Sequence, residues 1–370
     1  MKKILLFCLI AVMLIISSTK INAQDDKPQI KVNVLLQPWL YFAENESALK
    51  KNGVGYDFYI RRARIILSGN VNDWIYFFCE TDNPNFGKTG LNDKGESERK
   101  YDGMFMQDAF VDFRIAPEIQ IATGMILLPF SHQSRMGAVT IHSLDYQNIF
   151  SGHMIQEKVW RDYGVEARGL VFNKSLGYRF GFFGGKSNTQ DQIPRITGRV
   201  DANLFDAEDS FFYNGIYFGK KKIFSFGAGF DIQPGAVTDN TGKSSLYYAM
   251  TGDVFVDYPL DNNELIFQAG AAWYERGYTS IPNSTNFATH IGTGLGIFGE
   301  LGFRCNKIEP IISFNMFDSK ADGKDITNVN LGFNIWLKEK FANIKTEYGL
   351  LKKENEKMLS IFKIQTQLFF

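Results

Sequence analysis

The charged side chains of this chain come in mixed company. Arg62 and Arg64 stand two residues apart, Glu80 and Asp82 repeat that spacing, and Asp108, Asp112, Arg114 and Arg168 follow. Guanidinium groups that converge without carboxylates bind phosphate through forked donors, whereas guanidinium groups beside carboxylates satisfy one another. A spacing of two also places both members of a pair on one face of a strand. A second set, His132, Arg135, Asp145 and Lys158, falls in or at the end of a stretch with no alternation, 129–158. His132, His142 and His153 are ten and eleven apart, which fits no metal-ligand spacing, so neither metal nor cofactor is expected. No Ser-His-Asp set is arranged for nucleophilic catalysis. A barrel-embedded hydrolase would need Ser and His on an outer strand face, and His290, at the start of a strand, comes nearest. The chemistry therefore reads as non-enzymatic.

The elements that carry these groups are strands. In Tyr59–Ser68, Ala63, Ile65 and Leu67 share one face and Arg62, Arg64, Ile66 and Ser68 the other. Val329, Leu331, Phe333 and Ile335 likewise alternate with Asn328, Asn330, Gly332 and Asn334. The pattern predicts strands at 31–42, 57–69, 74–82, 105–115, 119–128, 159–171, 176–184, 195–205, 223–233, 245–257, 264–276, 291–304, 309–318, 326–337, 342–353 and 358–370. Most of these exceed the five or six residues of an average soluble strand and match the roughly nine to eleven that cross a bilayer. Sixteen is even, as single-chain bacterial barrels require, and short turns alternate with long loops at 83–104, 129–158 and 277–290. A transmembrane antiparallel β-barrel is the expected fold. One piece resists: residues 206–222 should be a short turn, yet they run to seventeen and hold Phe211-Phe212-Tyr213. They are expected as a periplasmic excursion.

Composition agrees. Of 370 residues 34 are Phe, 34 Gly and 16 Tyr, and 40 basic side chains balance 40 acidic ones, which excludes a strongly basic nucleic-acid binder. Lys2 and Lys3, the apolar run Ile4–Ile16 and Ile21-Asn22-Ala23 have the anatomy of a secretory signal peptide cleaved near Ala23. Loss of Lys2, Lys3 and Lys20 leaves 37 basic against 40 acidic residues, a formal −3. At the other end Phe362, Ile364, Thr366, Leu368 and Phe370 alternate to the last residue. A terminal aromatic on such a strand resembles the signal read by the barrel-assembly machinery. Together these features place the mature chain in a Gram-negative outer membrane, in contact with lipid. A secreted β-sandwich or propeller would not explain so many strands of that length.

Three segments carry a family resemblance: Tyr59-Ile60-Arg61-Arg62-Ala63-Arg64-Ile65-Ile66-Leu67-Ser68-Gly69, Met106-Gln107-Asp108-Ala109-Phe110-Val111-Asp112-Phe113 and Arg161-Asp162-Tyr163-Gly164-Val165. Together they resemble the phosphate-selective porin O and P family. That resemblance implies a sixteen-stranded barrel, a homotrimer, passage of small hydrophilic solutes or ions, and a third outer loop folded into the channel, which 129–158 matches in order and length. The family's phosphate selectivity comes from a basic ladder along the pore.

Sorting the residues by face tests that ladder. The polar phases carry eleven bases, Arg62, Arg64, Arg114 and Arg168 among them, and twelve acids, including Glu80, Asp82, Asp108 and Asp112. A wall so balanced does not concentrate anions. Arg62, Arg64 and Arg114 have Glu80, Asp82 and Asp112 within expected reach on adjacent strands, and Arg135, with Lys158 behind it, is the expected free cation. Such pairs either hold the interior together or set a transverse field across a constriction. The alternative to a diffusion pore is a barrel plugged by 129–158 that serves as a binding or structural protein.

Overall fold

The computed structural model describes residues 28–370 apart from 47, 51, 102, 148–159, 186–192, 239–243, 277–292 and 321–324. Its strands are β1 (Gln29–Glu44), β2 (Val54–Asn70), β3 (Ile75–Asp82), β4 (Thr89–Leu91), β5 (Ser97–Arg99), β6 (Phe105–Ala116), β7 (Ile119–Leu127), β8 (Arg161–Val171) and β9 (Leu176–Phe183). The chain continues with β10 (Arg195–Asn203), β11 (Ile223–Thr238), β12 (Ser244–Leu260), β13 (Asn263–Glu275), β14 (Gly294–Cys305), β15 (Ile308–Ser319), β16 (Ile326–Lys338), β17 (Ala342–Lys353) and β18 (Leu359–Phe369). All but β4 and β5 join one closed sheet of sixteen antiparallel strands, in which β1 pairs with β18. The short pair β4–β5 forms its own hairpin in the loop after β3.

Closure follows from the alternation. On β16, Val329, Leu331 and Phe333 point outward at 38, 58 and 44% exposure, while Asn330 and Asn334 point inward at 6 and 1%. A sheet with one apolar and one polar face, closed on itself, leaves no backbone edge unsatisfied in hydrocarbon. The barrel is membrane-spanning in kind, and all sixteen strands lie where the sequence places them, within a few residues at their ends.

One local irregularity matters. Gln37 pairs with Arg62, but Pro38 pairs with Ile60, so Arg61 is an extra residue in β2. Pro38 has no N–H to give the ladder, and a bulge opposite it absorbs the defect. Strict alternation would put Arg61 outside with Ala63. The bulge turns it inward, so two consecutive arginines face the lumen, where both reach Asp145.

The lumen is not an empty tube. Residues 128–147 enter from the long-loop end, including a single helical turn at His132–Arg135 that Ser131 caps through the Ser134 N–H. Residues 204–222 enter from the short-turn end. The periplasmic excursion expected for 206–222 is thereby corrected: the segment is no barrel strand, but it folds back inside. Phe211, Tyr213 and Ile216 are all 5% exposed or less, and water beyond the turn end would offer them no such burial. The two inserts meet in the middle, where Gly137 N–H donates to Tyr213 O at 2.9 Å and Tyr213 N–H to Arg135 O at 2.9 Å. Phe211 stacks on Phe110 of the wall with ring centroids 4.1 Å apart.

Candidate functional site

The wall from β2 round to β12 is a chain of ion pairs. Arg64 reaches Glu80 at 2.5 Å and Asp82 at 2.9 Å, Arg161 reaches Asp108 at 2.9 Å, and Arg168 reaches Asp112 at 2.6 Å. Arg179 meets Glu166 at 3.0 Å, and Arg199 meets both Asp201 and Asp253 at 2.7 Å. Arg64 and Arg179 find their carboxylates on the neighbouring strand, where inward residues stand side by side, whereas Arg161, Arg168 and Arg199 reach over one intervening strand to Asp108, Asp112 and Asp253. All of these groups are buried. Their worth lies in mutual compensation: desolvating one such charge costs several kcal/mol, and a well-made pair offsets that cost.

The remaining wall, β13 to β18 and β1, sets amides among its charged groups Glu264, Glu300, Glu309, Lys345 and Glu347. Gln37, Gln268, Asn315, Asn334, Gln365 and Gln367 are all buried there. Much of what they bind is loop. Gln37 Nε2 donates to Ala138 O at 3.4 Å, Gln367 Nε2 to Val139 O at 3.0 Å, Asn334 Nδ2 to His142 O at 3.0 Å, and Asn315 Nδ2 to Gln147 Oε1 at 2.7 Å. Lys345 caps three successive loop carbonyls, those of Ile141, His142 at 3.2 Å and Ser143 at 3.0 Å.

His142 sits at the centre of this contact. Its Nδ1 lies 2.7 Å from Glu300 Oε1 and its Nε2 2.6 Å from Glu309 Oε1. Burial alone would lower the imidazole pKa, but the flanking carboxylates of Glu309 and Glu300 win and push it up to about 10, so the ring is an imidazolium. Gly302 makes the room: a Cβ there would lie 2.3 Å from His142 Nε2. Gly292, Gly294, Gly296 and Gly302 alternate in the sequence, which does not say what approaches them. Further along, Asp145 binds Arg61 at 2.7 Å and Arg62 at 2.5 Å. Although burial opposes ionisation, the two guanidinium groups hold its carboxyl well below the usual carboxylate range.

Two vestibules flank the level at which the inserts meet. At the long-loop end a cavity of about 300 Å³ lies between Trp39, Tyr59 and Arg61 on one side and Asn315 and Asn328 on the other. At the short-turn end a space of about 780 Å³ is bounded by Arg114, Arg168, Lys174 and Lys340, with Phe211 and Phe212 as its roof. Among the described residues, no group of three or more His, Cys, Asp or Glu could hold a metal ion.

The site residues sort accordingly. Arg64, Glu80, Asp82, Asp108, Asp112 and Arg168 all lie in the charged wall, and Arg114 reaches Asp112 at 3.0 Å from the rim of the short-turn vestibule. Arg62 takes a different partner from the one expected, the loop's Asp145 instead of Glu80 or Asp82, because the bulge brings it level with the insert. Arg135 is no free cation. It is fully buried, donates to Leu127 O and Phe211 O at 2.6 Å each, and faces Glu166 at 3.2 Å. His132 lies 2.8 Å from Glu208, joining the two inserts. Lys158 and His153 lie outside the described residues. Arg61, Arg161, Glu208 and Glu309 escaped the sequence reading. Pro38 in mid-strand was the available signal for Arg61; for Glu208 there was none.

No family model and no curated protein matches the chain. Solved structures do match in fold. The anion-selective porin from Comamonas acidovorans is 12% identical over 93% of this chain and 100% of its own, with a TM-score of 0.60. OmpF of Salmonella typhi, solved with daunomycin, is 12% identical over 93% and 99%, with a TM-score of 0.61. OmpT of Vibrio cholerae, in its trimer form, is 11% identical over 93% and 100%, with a TM-score of 0.56. At these identities the likeness is one of architecture. The chain has the sixteen-stranded fold of outer-membrane porins.

Proposed function

We propose that this chain is an outer-membrane channel for small hydrophilic solutes or ions, held here in a narrow state by its two inserts. The observation that carries the reading is a closed barrel with an apolar outside and an inside lined by polar and charged groups, an arrangement that hydrocarbon and water require together. Ion preference is weak and phosphate is not selected, because the lumen arginines already share their donors with carboxylates. Export uses the signal peptide ending near Ala23, and assembly in the bilayer uses the last strand through Phe370. The working form is a homotrimer, the form in which the similar OmpT of Vibrio cholerae was solved.

The test is single-channel conductance of purified protein in planar bilayers, with reversal potential under a salt gradient and phosphate titrated against chloride current. Small conductance, a reversal potential near zero and no micromolar phosphate block are expected. Micromolar block would restore phosphate selectivity. A second reading, a non-conducting barrel that binds or scaffolds, draws on the tight seating of 138–143 against Gln37, Lys345 and Gln367. It gains if neither the native chain nor a variant with the insert released carries current.

A further inference from the structure

The long-loop vestibule is the smaller of the two, and aromatic rings and amides line it. Its volume of about 300 Å³ sits at the lower end of small-molecule pockets, roughly 300–1,000 Å³. One side is aromatic: Trp39 and Tyr59 tilt against each other with centroids 5.8 Å apart, and Tyr41 meets Tyr59 edge-on at 6.4 Å. The other side is amide: Asn315 and Asn328 stand opposite each other in register on β15 and β16, with Asn330 beyond. Gln147 and Asp145 of the loop insert form the floor.

The hollow is maintained by sequence. Gly349 faces it from β17, between the inward Glu347 and Leu351, and a Cβ there would stand 2.5 Å from Asn330 Oδ1. Any larger residue would fill the space or displace the amide.

Of the three cations in the lining, Lys88 lies over the rings of Tyr41 and Tyr59 at 5.4 and 5.5 Å, and the other two are matched by carboxylates. Arg61 is bound to Asp145 at 2.7 Å and Lys363 to Glu347 at 2.8 Å. A charged ligand would have to break one of these pairs or draw Lys88 off the rings. A neutral ligand with many hydroxyls need not, since a bound pair still offers spare N–H donors and carboxylate lone pairs. The Asn328 carboxamide and the Tyr59 hydroxyl have no protein hydrogen-bond partner among the described residues, although both line the cavity. Cations already sit over the rings, Arg61 and Lys363 over Trp39 and Lys88 over Tyr41 and Tyr59, so recognition falls to the amides, whose planar groups suit vicinal hydroxyls as donor and acceptor at once.

We propose that this vestibule is a binding site for a neutral, monosaccharide-sized polyhydroxylated solute. The site stands on the lumen geometry and does not depend on conduction. It is tested by saturation-transfer NMR on the purified full chain in detergent, titrating D-glucose, with D-glucuronate, D-glucosamine and inorganic phosphate as charged counterparts. Saturable millimolar binding of glucose is expected, tighter than that of any charged probe. Gly349→Leu, which fills the hollow, and Asn328→Leu, which removes an unpartnered amide, should each weaken it by about tenfold or more, as loss of a well-placed polar or steric match does. Heat-modifiable gel mobility checks that each barrel has folded, and Asn328→Leu serves if Gly349→Leu does not fold. Absent saturation by glucose, tighter binding of a charged probe, or unchanged binding in a folded variant would overturn the proposal. Because the readout needs no current, a non-conducting barrel that binds glucose would defeat the channel reading alone.

Discussion

The two sides of the lumen solve the problem of a polar interior differently. From β2 to β12 most of the wall's charges satisfy one another: Arg64 with Glu80 and Asp82, Arg168 with Asp112, Arg199 with Asp201 and Asp253. From β13 to β1 amides stand among the charges, and they, with Glu300, Glu309 and Lys345, look for partners on something else, mainly residues 138–143. The charged side therefore belongs to the barrel, and the amide side belongs to the contact between barrel and insert. Damage to the first should be felt as loss of fold, and damage to the second as release of the loop.

The largest effect is expected on the charged side. Arg64→Ala strands Glu80 and Asp82 without their cation and should destabilise the barrel by about 3–5 kcal/mol. The folding midpoint in urea, followed by gel mobility, reads it, and a shift below 1 kcal/mol would mean that water reaches these carboxylates. On the amide side Lys345→Met removes one cation from three loop carbonyls. Undocking by about 2–3 kcal/mol is expected, seen as larger conductance and faster proteolysis near residues 141–143 with the barrel intact.

The outward surface gives a control of similar size. Leu331→Arg should cost roughly 2–4 kcal/mol on folding into lipid and Asn330→Arg far less, and equal tolerance would defeat the assigned register. A smaller effect follows pH. His142 is held at about 10 in the docked state, above the ~6.5 of a free imidazole. A raised pKa contributes stability that is full below the free value and lost as pH rises through the docked one. Loop release should therefore grow between about pH 6.5 and 10, and His142→Gln should flatten that dependence. Smallest of all, Asn334→Ala removes one neutral donor from His142 O and should cost about 1 kcal/mol of docking.

The barrel was legible because its rule is local. A residue's face depends on counting by two, and Val329 to Ile335 could be sorted without knowing any partner. What failed was the place where counting breaks and the places where partners are distant. Arg61 escapes because a bulge shifts the count, although Pro38 marks the spot on the strand opposite. Arg135 looked free because its carbonyl partner at Phe211 is 76 residues away, in a segment whose inward fold no periodicity announces. Phe211-Phe212-Tyr213 was visible as an apolar cluster with nowhere to go. Its destination, the rings of Phe110 and Phe78, needed the closed barrel first.

The insert also bears on how the barrel can form. The first and last strands are the final pair available to a chain made in order, and their joining carries the largest loop-closure cost in the molecule. Gln37 on the first strand and Gln367 on the last hydrogen-bond each other at 2.7 Å, and each also holds a carbonyl of the loop, at Ala138 and Val139. The loop thus spans the seam like a stitch. It precedes the last strand in the chain by more than two hundred residues, so once docked beside the first strand it offers the last one the Val139 carbonyl. The segment that narrows the finished lumen is also a template for shutting the cylinder, so variants that loosen it should slow closure as well as widen the passage.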